Sequence, residues 1–261
     1  MLISSAQNAF VRLYRSLEKR KAREETGLLP LEGARLVQEA ILCGTPFEAV
    51  LLSESCLQNE FSFLDELPPG IPVCRIAEKI FRDIAHTETP QGILAAARRP
   101  VYVLQDVFAV SPALVLVVDR LQDPGNLGTM LRSAAASGAG GAVLLPGTVD
   151  AANPKALRAG MGAILRLPVV EATLDELLPE LLRHNVQLVA THGAAQDYYH
   201  FFDWRLPCSI VVGNEGAGLS AEVLAVASHK VAIPLSGGVE SLNAAVAMSV
   251  IFFEAARQRR C

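Results

Sequence analysis

Apolar and polar positions along the chain fall into two recurring spacings. Phe10, Leu13, Tyr14 and Leu17 repeat at i, i+3, i+4 and i+7, which predicts an amphipathic helix over residues 7–25 with a basic outer side. A short apolar run at Leu28–Leu31 follows, then a helix at Ala34–Leu42 stopped by Gly44, and a strand at Ala49–Leu52. A helical stretch near Phe61–Leu67, a strand at Ile71–Ile76, a helix at Ala77–Ala85 and a strand at Gly92–Ala97 complete a small layered α/β unit. Arg98-Arg99-Pro100 and Ser111-Pro112 bracket a stretch of weak periodicity, which places a domain boundary near residue 105.

The second half opens on Leu114–Val118, a continuous apolar run of the kind that forms a strand covered on both faces in a parallel sheet. A helix at Thr129–Ser137 and strands at Ala142–Leu145, Gln187–Ala190, Ser209–Val212 and Lys230–Ile233 are predicted next, then a terminal helix from about Leu242 to Arg259. In such a sheet the loops at the carboxyl ends of the strands hold the site.

Composition narrows the class. Of 261 residues, 51% are hydrophobic and 19% charged, so a packed core is affordable in two domains and disorder is excluded. Mean hydropathy is +0.32, yet the longest apolar runs, Ala113–Val118 and Ala244–Phe253, fall short of the roughly 18 residues a membrane span needs. The start, MLISSAQNAF, does not read as a secretory signal, and a cytoplasmic protein is expected. Cys43, Cys56, Cys74, Cys208 and Cys261, and five scattered histidines, have no disulfide or metal-ligand spacing, so incidental thiols and no metal are expected. Net charge is -4, against a general polyanion binder, although residues 1–35 carry seven Lys/Arg and four acids. Any RNA contact must then be local and directed by shape, through a patch of Arg12, Lys19, Lys21, Arg23 and Arg35, or else that helix face is merely solvated.

Three loops carry the candidate chemistry, each directly after an expected strand. Asp119-Arg-Leu-Gln-Asp-Pro-Gly-Asn126-Leu-Gly128 leads into a helix bearing Arg132, where Asn126 could serve simply as helix cap. Gly213-Asn-Glu215-Gly216-Ala-Gly218 matches neither phosphate-binding glycine fingerprint, and sets one acid inside a turn open to close backbone approach. Ile233-Pro-Leu-Ser-Gly-Gly-Val-Glu-Ser241-Leu242-Asn243 runs into the terminal helix, with Ser241 as its default cap.

In this order the three segments resemble the motifs of the SpoU (TrmH-like) ribose 2′-O-methyltransferases of the SPOUT class. They match D-x-x-x-D-P-x-N-x-G-x-x-x-R, G-x-E-G-x-G and I-P-x-x-G-x-x-x-S-L-N without gaps. Ser5-Ala-Gln-Asn8, Leu31-Glu-Gly-Ala-Arg35 and Thr89-Pro-Gln-Gly92 resemble the family's accessory substrate-binding domain, and Asn153–Arg158 with Gly162 resembles its subgroup acting on large-subunit rRNA.

The resemblance implies a small N-terminal α/β RNA-binding-like domain over residues 1–105 and a parallel-sheet SPOUT domain with a trefoil knot over residues 106–261. It implies S-adenosylmethionine held by Gly213, Ile233 and Leu242, with Thr191, His192 and Gly193 as neighbours. Asn126, Arg132, Glu215, Ser241 and Asn243 would form the reaction centre, and a homodimer would draw each site from both subunits. A ribose 2′-hydroxyl must lose its proton to attack a sulfonium methyl in line. Arg132 is either the base or a clamp on the target phosphate, and in the second case Glu215 or water accepts the proton. A tRNA target competes with rRNA. A non-catalytic RNA binder on the same scaffold predicts loss of Asn126, Arg132 or Glu215, and all three are present.

Overall fold

The computed structural model describes residues 2–56 and 61–260. In chain order its elements are β1 (Leu2–Ile3), α1 (Ala9–Ser16), α2 (Arg20–Thr26), β2 (Leu28–Glu32), α3 (Ala34–Leu42), β3 (Phe47–Ser53), β4 (Val73–Ile76), α4 (Glu78–Ile84) and β5 (Ile93–Arg98). There follow β6 (Leu114–Val118), α5 (Pro124–Ser137), β7 (Gly141–Leu144), α6 (Pro154–Gly160), β8 (Val169–Glu171), α7 (Leu174–Arg183) and β9 (Gln187–Thr191). The last are β10 (Asp197–Tyr198), β11 (Cys208–Val212), α8 (Ala221–Val226), β12 (His229–Ala232) and α9 (Ala244–Arg260).

Two compact units result. The first comprises residues up to Val101 together with Ala152–Leu165; the second comprises Tyr102–Ala151 and the chain from Arg166. The expected cut near residue 105 assigns residues 152–165 to the second unit. They pack with the first, because Ala152, Pro154, Ala156 and Leu157 are buried and α6 lies against β2.

The first unit is a five-stranded mixed sheet in the order β1-β4-β3-β5-β2. Pro30 lacks a donor N–H, and it sits in β2, at the edge of that sheet, paired antiparallel with β5. Val11, Tyr14, Leu51, Ile76, Phe81 and Leu94 form one of its apolar clusters. The single helix expected over residues 7–25 is two. α1 ends at Ser16, and the guanidinium of Arg23 folds back to donate to the carbonyls of Leu17 and Glu18 at 2.7 and 2.8 Å. That use satisfies carbonyls the helix end leaves open and buries Arg23.

The second unit is an all-parallel seven-stranded sheet in the order β10-β12-β9-β11-β6-β7-β8. Every residue of β6 and β11 is buried, as expected for strands covered on both faces. Helix α5 begins at Pro124, five residues before the expected start. Pro124 is preorganised for the first helical turn and Asp123 caps it by accepting from the Asn126 backbone N–H at 2.8 Å. Helix α7, not among the expected elements although Leu174, Leu177, Leu178 and Leu181 recur at i, i+3, i+4 and i+7, is opened by a reciprocal pair in which Thr173 accepts from the Glu176 N–H and Glu176 accepts from Thr173. Among the described residues no helix is long and apolar enough to cross a membrane. Cys43, Cys56, Cys74 and Cys208 form no disulfide among the described residues, and Cys261 lies outside them.

Candidate active site

The three motif loops leave the carboxyl ends of β6, β11 and β12, three strands of the second unit's sheet. Because Asp123 caps α5, the side chain of Asn126 is not needed there, contrary to its capping reading. At the start of α9 the cap is likewise not Ser241 but Asn243, whose Oδ1 accepts from the N–H groups of Ala245 and Val246 at 2.9 and 3.2 Å. That capping fixes which way the Asn243 amide faces. Its Nδ2 donates to Asn126 Oδ1 at 3.0 Å, and Asn126 Nδ2 in turn donates to Glu215 Oε1 at 2.9 Å. The result is a directed amide relay from a helix start to a carboxylate.

Burial at the turn raises the Glu215 pKa, but the Asn126 amide and backbone N–H groups outweigh it and hold the carboxyl below its ordinary range. The turn itself depends on Asn214. Its Oδ1 accepts from Gly216 and Ala217 N–H groups at 2.9 Å, and its Nδ2 donates to the Arg120 carbonyl at 3.1 Å. Backbone bonds between Asn214 and Gly218 then bring Gly218 so close that a Cβ at Gly213 would lie 2.4 Å from its carbonyl carbon. Asn214 was not among the sequence candidates; the signal for it was an Asn two residues before a glycine-rich turn.

Beneath the turn is a cavity of about 380 Å³. All six expected cofactor residues, Thr191, His192, Gly193, Gly213, Ile233 and Leu242, line it, as do Glu215, Ser241 and Asn243. Its walls also include Leu219, Val231, Leu235 and Ile251, with Glu240 at the rim. Two carboxylates and no Lys or Arg among the lining residues suit a cationic ligand with an apolar ring better than a polyphosphate. Gly213 lines the cavity with backbone alone, because Gly218 takes the space a Cβ would need. Among the described residues no group of three or more His, Cys, Asp or Glu could hold a metal ion.

Arg132 is not part of this cluster. It lies on α5 about 9 Å along and about 120° around from Asn126, is exposed, and has no hydrogen bond or ion pair among the described residues. In the first unit, Arg12, Lys19 and Arg35 are exposed, Lys21 lies 3.7 Å from Glu25, and Arg23 is buried. Arg23 therefore leaves the expected RNA patch, because both its helix-end carbonyl bonds and its burial keep it inside the unit.

Comparison with known proteins places these features. Residues 113–253 match the SpoU rRNA Methylase family, and residues 8–95 match an MRM3-like substrate binding domain. The chain is 34% identical to the 23S rRNA (guanosine(2553)-2′-O)-methyltransferase RlmP of Bacillus subtilis, over 96% of this chain and 97% of that one. Among solved structures it resembles an RNA 2′-O ribose methyltransferase with 33% identity and a TM-score of 0.87, covering 100% of both chains. It also resembles an AdoMet-bound rRNA methyltransferase from Sinorhizobium meliloti, with 30% identity and a TM-score of 0.85 over 98% of this chain and 97% of that one.

Proposed function

The chain belongs to the SpoU rRNA methylase family, and from that premise we infer that it methylates a ribose 2′-hydroxyl of large-subunit rRNA, using S-adenosylmethionine. The observation that carries this reading is the cavity at the strand ends with the Asn243–Asn126–Glu215 relay at its edge. S-adenosylmethionine supplies a methyl group on a sulfonium, and the residues lining the cavity fit it as described. Gly213, Ile233 and Leu242 would hold it, largely through backbone groups, with Thr191, His192 and Gly193 beside them.

Glu215 is charged at neutral pH and, with its pKa lowered, a weak base. Its part is to fix the amides of Asn126 and Asn243 so that they orient the incoming ribose, whose 2′-hydroxyl proton leaves to water. Ser241, exposed at the same rim, is placed to meet that ribose as well. Arg132 acts as a bidentate clamp on the target phosphate, since a guanidinium keeps its proton at any pH the enzyme meets.

Arg132 is remote from the relay of its own chain, which supports a homodimer in which it serves the second subunit's cavity. Val246 and Phe253, apolar and each 49% exposed on α9, are the surface such a dimer covers. The knotted path of the SPOUT class belongs to the same proposal, supported by the strand order that inserts β12 between β9 and β10. The first unit reads the RNA, the target being rRNA in preference to tRNA, and the protein works in the cytoplasm. Purified enzyme, labelled S-adenosylmethionine and unmodified large-subunit rRNA test the reading together: one new ribose methylation is expected by mass mapping. Label transfer to tRNA alone, or to no RNA, would refute it.

A further inference from the structure

A second cavity, of about 350 Å³, lies in the first unit and shares no lining residue with the cavity at the strand ends. Arg35, Leu36, Thr89, Gln91, Arg158 and Met161 line it, with buried Glu32 at its base. Arg158 comes from the segment that packs with this unit across some 120 residues of chain, and it lies outside the stretch matched to the substrate-binding domain.

The arrangement is built from an anchored anion upward. Both Glu32 oxygens are engaged: Oε2 accepts from the His86 N–H at 2.9 Å, and Oε1 accepts from the Thr87 N–H at 3.1 Å and the Thr87 hydroxyl. Burial raises its pKa, but the His86 imidazole, 3.4 Å away, together with these bonds and Arg158, brings it down to about 2. Glu32 therefore stays charged, with both oxygens engaged inside the protein. Arg158 Nη1 lies 3.5 Å from it, buried and without a hydrogen bond, so the carboxylate steers the guanidinium without saturating it.

Most of the other polar groups present donors. Gln91 Oε1 accepts from the Ala34 N–H at 2.9 Å, which leaves its amide nitrogen as the donor end. Arg35 is exposed and makes no ion pair among the described residues. Leu36 and Met161 supply apolar wall. Met161 is held at φ +49°, a left-handed conformation rare outside glycine, and a Cβ at the next residue, Gly162, would lie 2.8 Å from Glu39 Cγ. The wall is fixed by tight packing of the α6 end on α3.

A net positive, donor-rich rim around an apolar wall has the chemistry of a nucleotide site, which must meet acceptors on a base edge, a ring face and a phosphate. A duplex cannot enter a cavity of this size, whereas an unstacked nucleotide can. We propose that this cavity takes one unstacked nucleotide of the substrate RNA, its base against Leu36 and Met161 and its phosphate at Arg35 and Arg158. The proposal rests on the RNA-methyltransferase reading and adds to it a second point of recognition, separate from the methylated residue.

The test uses the full chain with Arg35→Ala, which disturbs no internal contact, and Arg158→Lys, which keeps charge beside Glu32 but loses the fork. Binding to a large-subunit rRNA transcript should weaken about tenfold in each variant. KM for RNA should rise in parallel, with kcat at saturating RNA and S-adenosylmethionine affinity unchanged. In the wild type, nucleoside 5′-monophosphates should shift the Met161 methyl resonance and inorganic phosphate should not. RNA affinity within twofold of wild type in both variants, or phosphate as effective as the mononucleotides, overturns the proposal while leaving methyl transfer intact. Absence of any ribose methylation by the wild type would instead remove the reading beneath it.

Discussion

Replacing Asn126 by Asp tests the amide relay with almost no change in shape. The variant still accepts from Asn243, but a second carboxylate now stands where Nδ2 met Glu215 Oε1 at 2.9 Å. At that distance two unit charges repel by about 6 kcal/mol at an effective dielectric of 20. Glu215 is exposed, so solvent screening reduces this to about 1.5–3 kcal/mol. If the relay orients the ribose in the transition state, kcat/KM at neutral pH falls by about 10- to 100-fold.

The pH dependence carries the sharper prediction. In the wild type the Glu215 pKa is depressed, so its stabilising contribution is full above the unfolded value of about 4.3 and lost only as pH falls through the lower folded value. In the variant the paired carboxylates share a proton readily, and that proton restores a donor between them. Activity and melting temperature of Asn126→Asp should therefore recover, relative to wild type, as pH is lowered from 8 towards 5. A loss equal to that of Asn126→Ala and flat across this range would show that the relay plays no electrostatic part.

Gly213→Ala should raise the dissociation constant for S-adenosylmethionine by at least about tenfold in calorimetry, because its Cβ forces the Gly218 carbonyl out of the turn; near-normal binding would remove the close-approach argument. Glu32→Gln should flatten the acid limb of unfolding, since the native carboxylate, with its pKa near 2, contributes stability on the order of 3 kcal/mol that is lost between about pH 4.5 and pH 2. Arg259 donates to the carbonyls of Trp204, Pro112, Ala113 and Leu206, so Arg259→Ala should cost about 2–4 kcal/mol, read as a melting temperature lower by roughly 5–15 °C.

What could be read in advance depended on how local the cause was. β6 and β11 are legible because burial on both faces demands an unbroken apolar run, and the three loops are legible because they follow such runs. Cap assignments were less so: Asp123 and Asn126 both suit a helix start, and only the place where Pro124 begins the helix decides between them. The same holds for Ser241 and Asn243. Arg23 looked like part of a basic face, yet one turn break after Ser16 carried it inside. Arg158 pairs with Glu32 across 126 positions, which no spacing rule anticipates. The amide relay joins residues 126, 215 and 243, so its members were named singly while the bonds among them were not.

The excursion of residues 152–165 into the first unit has a consequence for how such a protein can be assembled or divided. The chain passes between the units at Val101–Tyr102, Ala151–Ala152 and Leu165–Arg166. A single recombination junction near residue 101 would therefore separate the buried Ala156, Leu157, Ile164 and Leu165 from the surface they complete. Grafting the first unit of a relative onto this chain requires exchanging the inserted segment as well, at two further seams. A protease nick at the first crossing would leave both halves still joined through the insert. The two units thus come apart only along three seams, as a stitched pair and not as beads on a string.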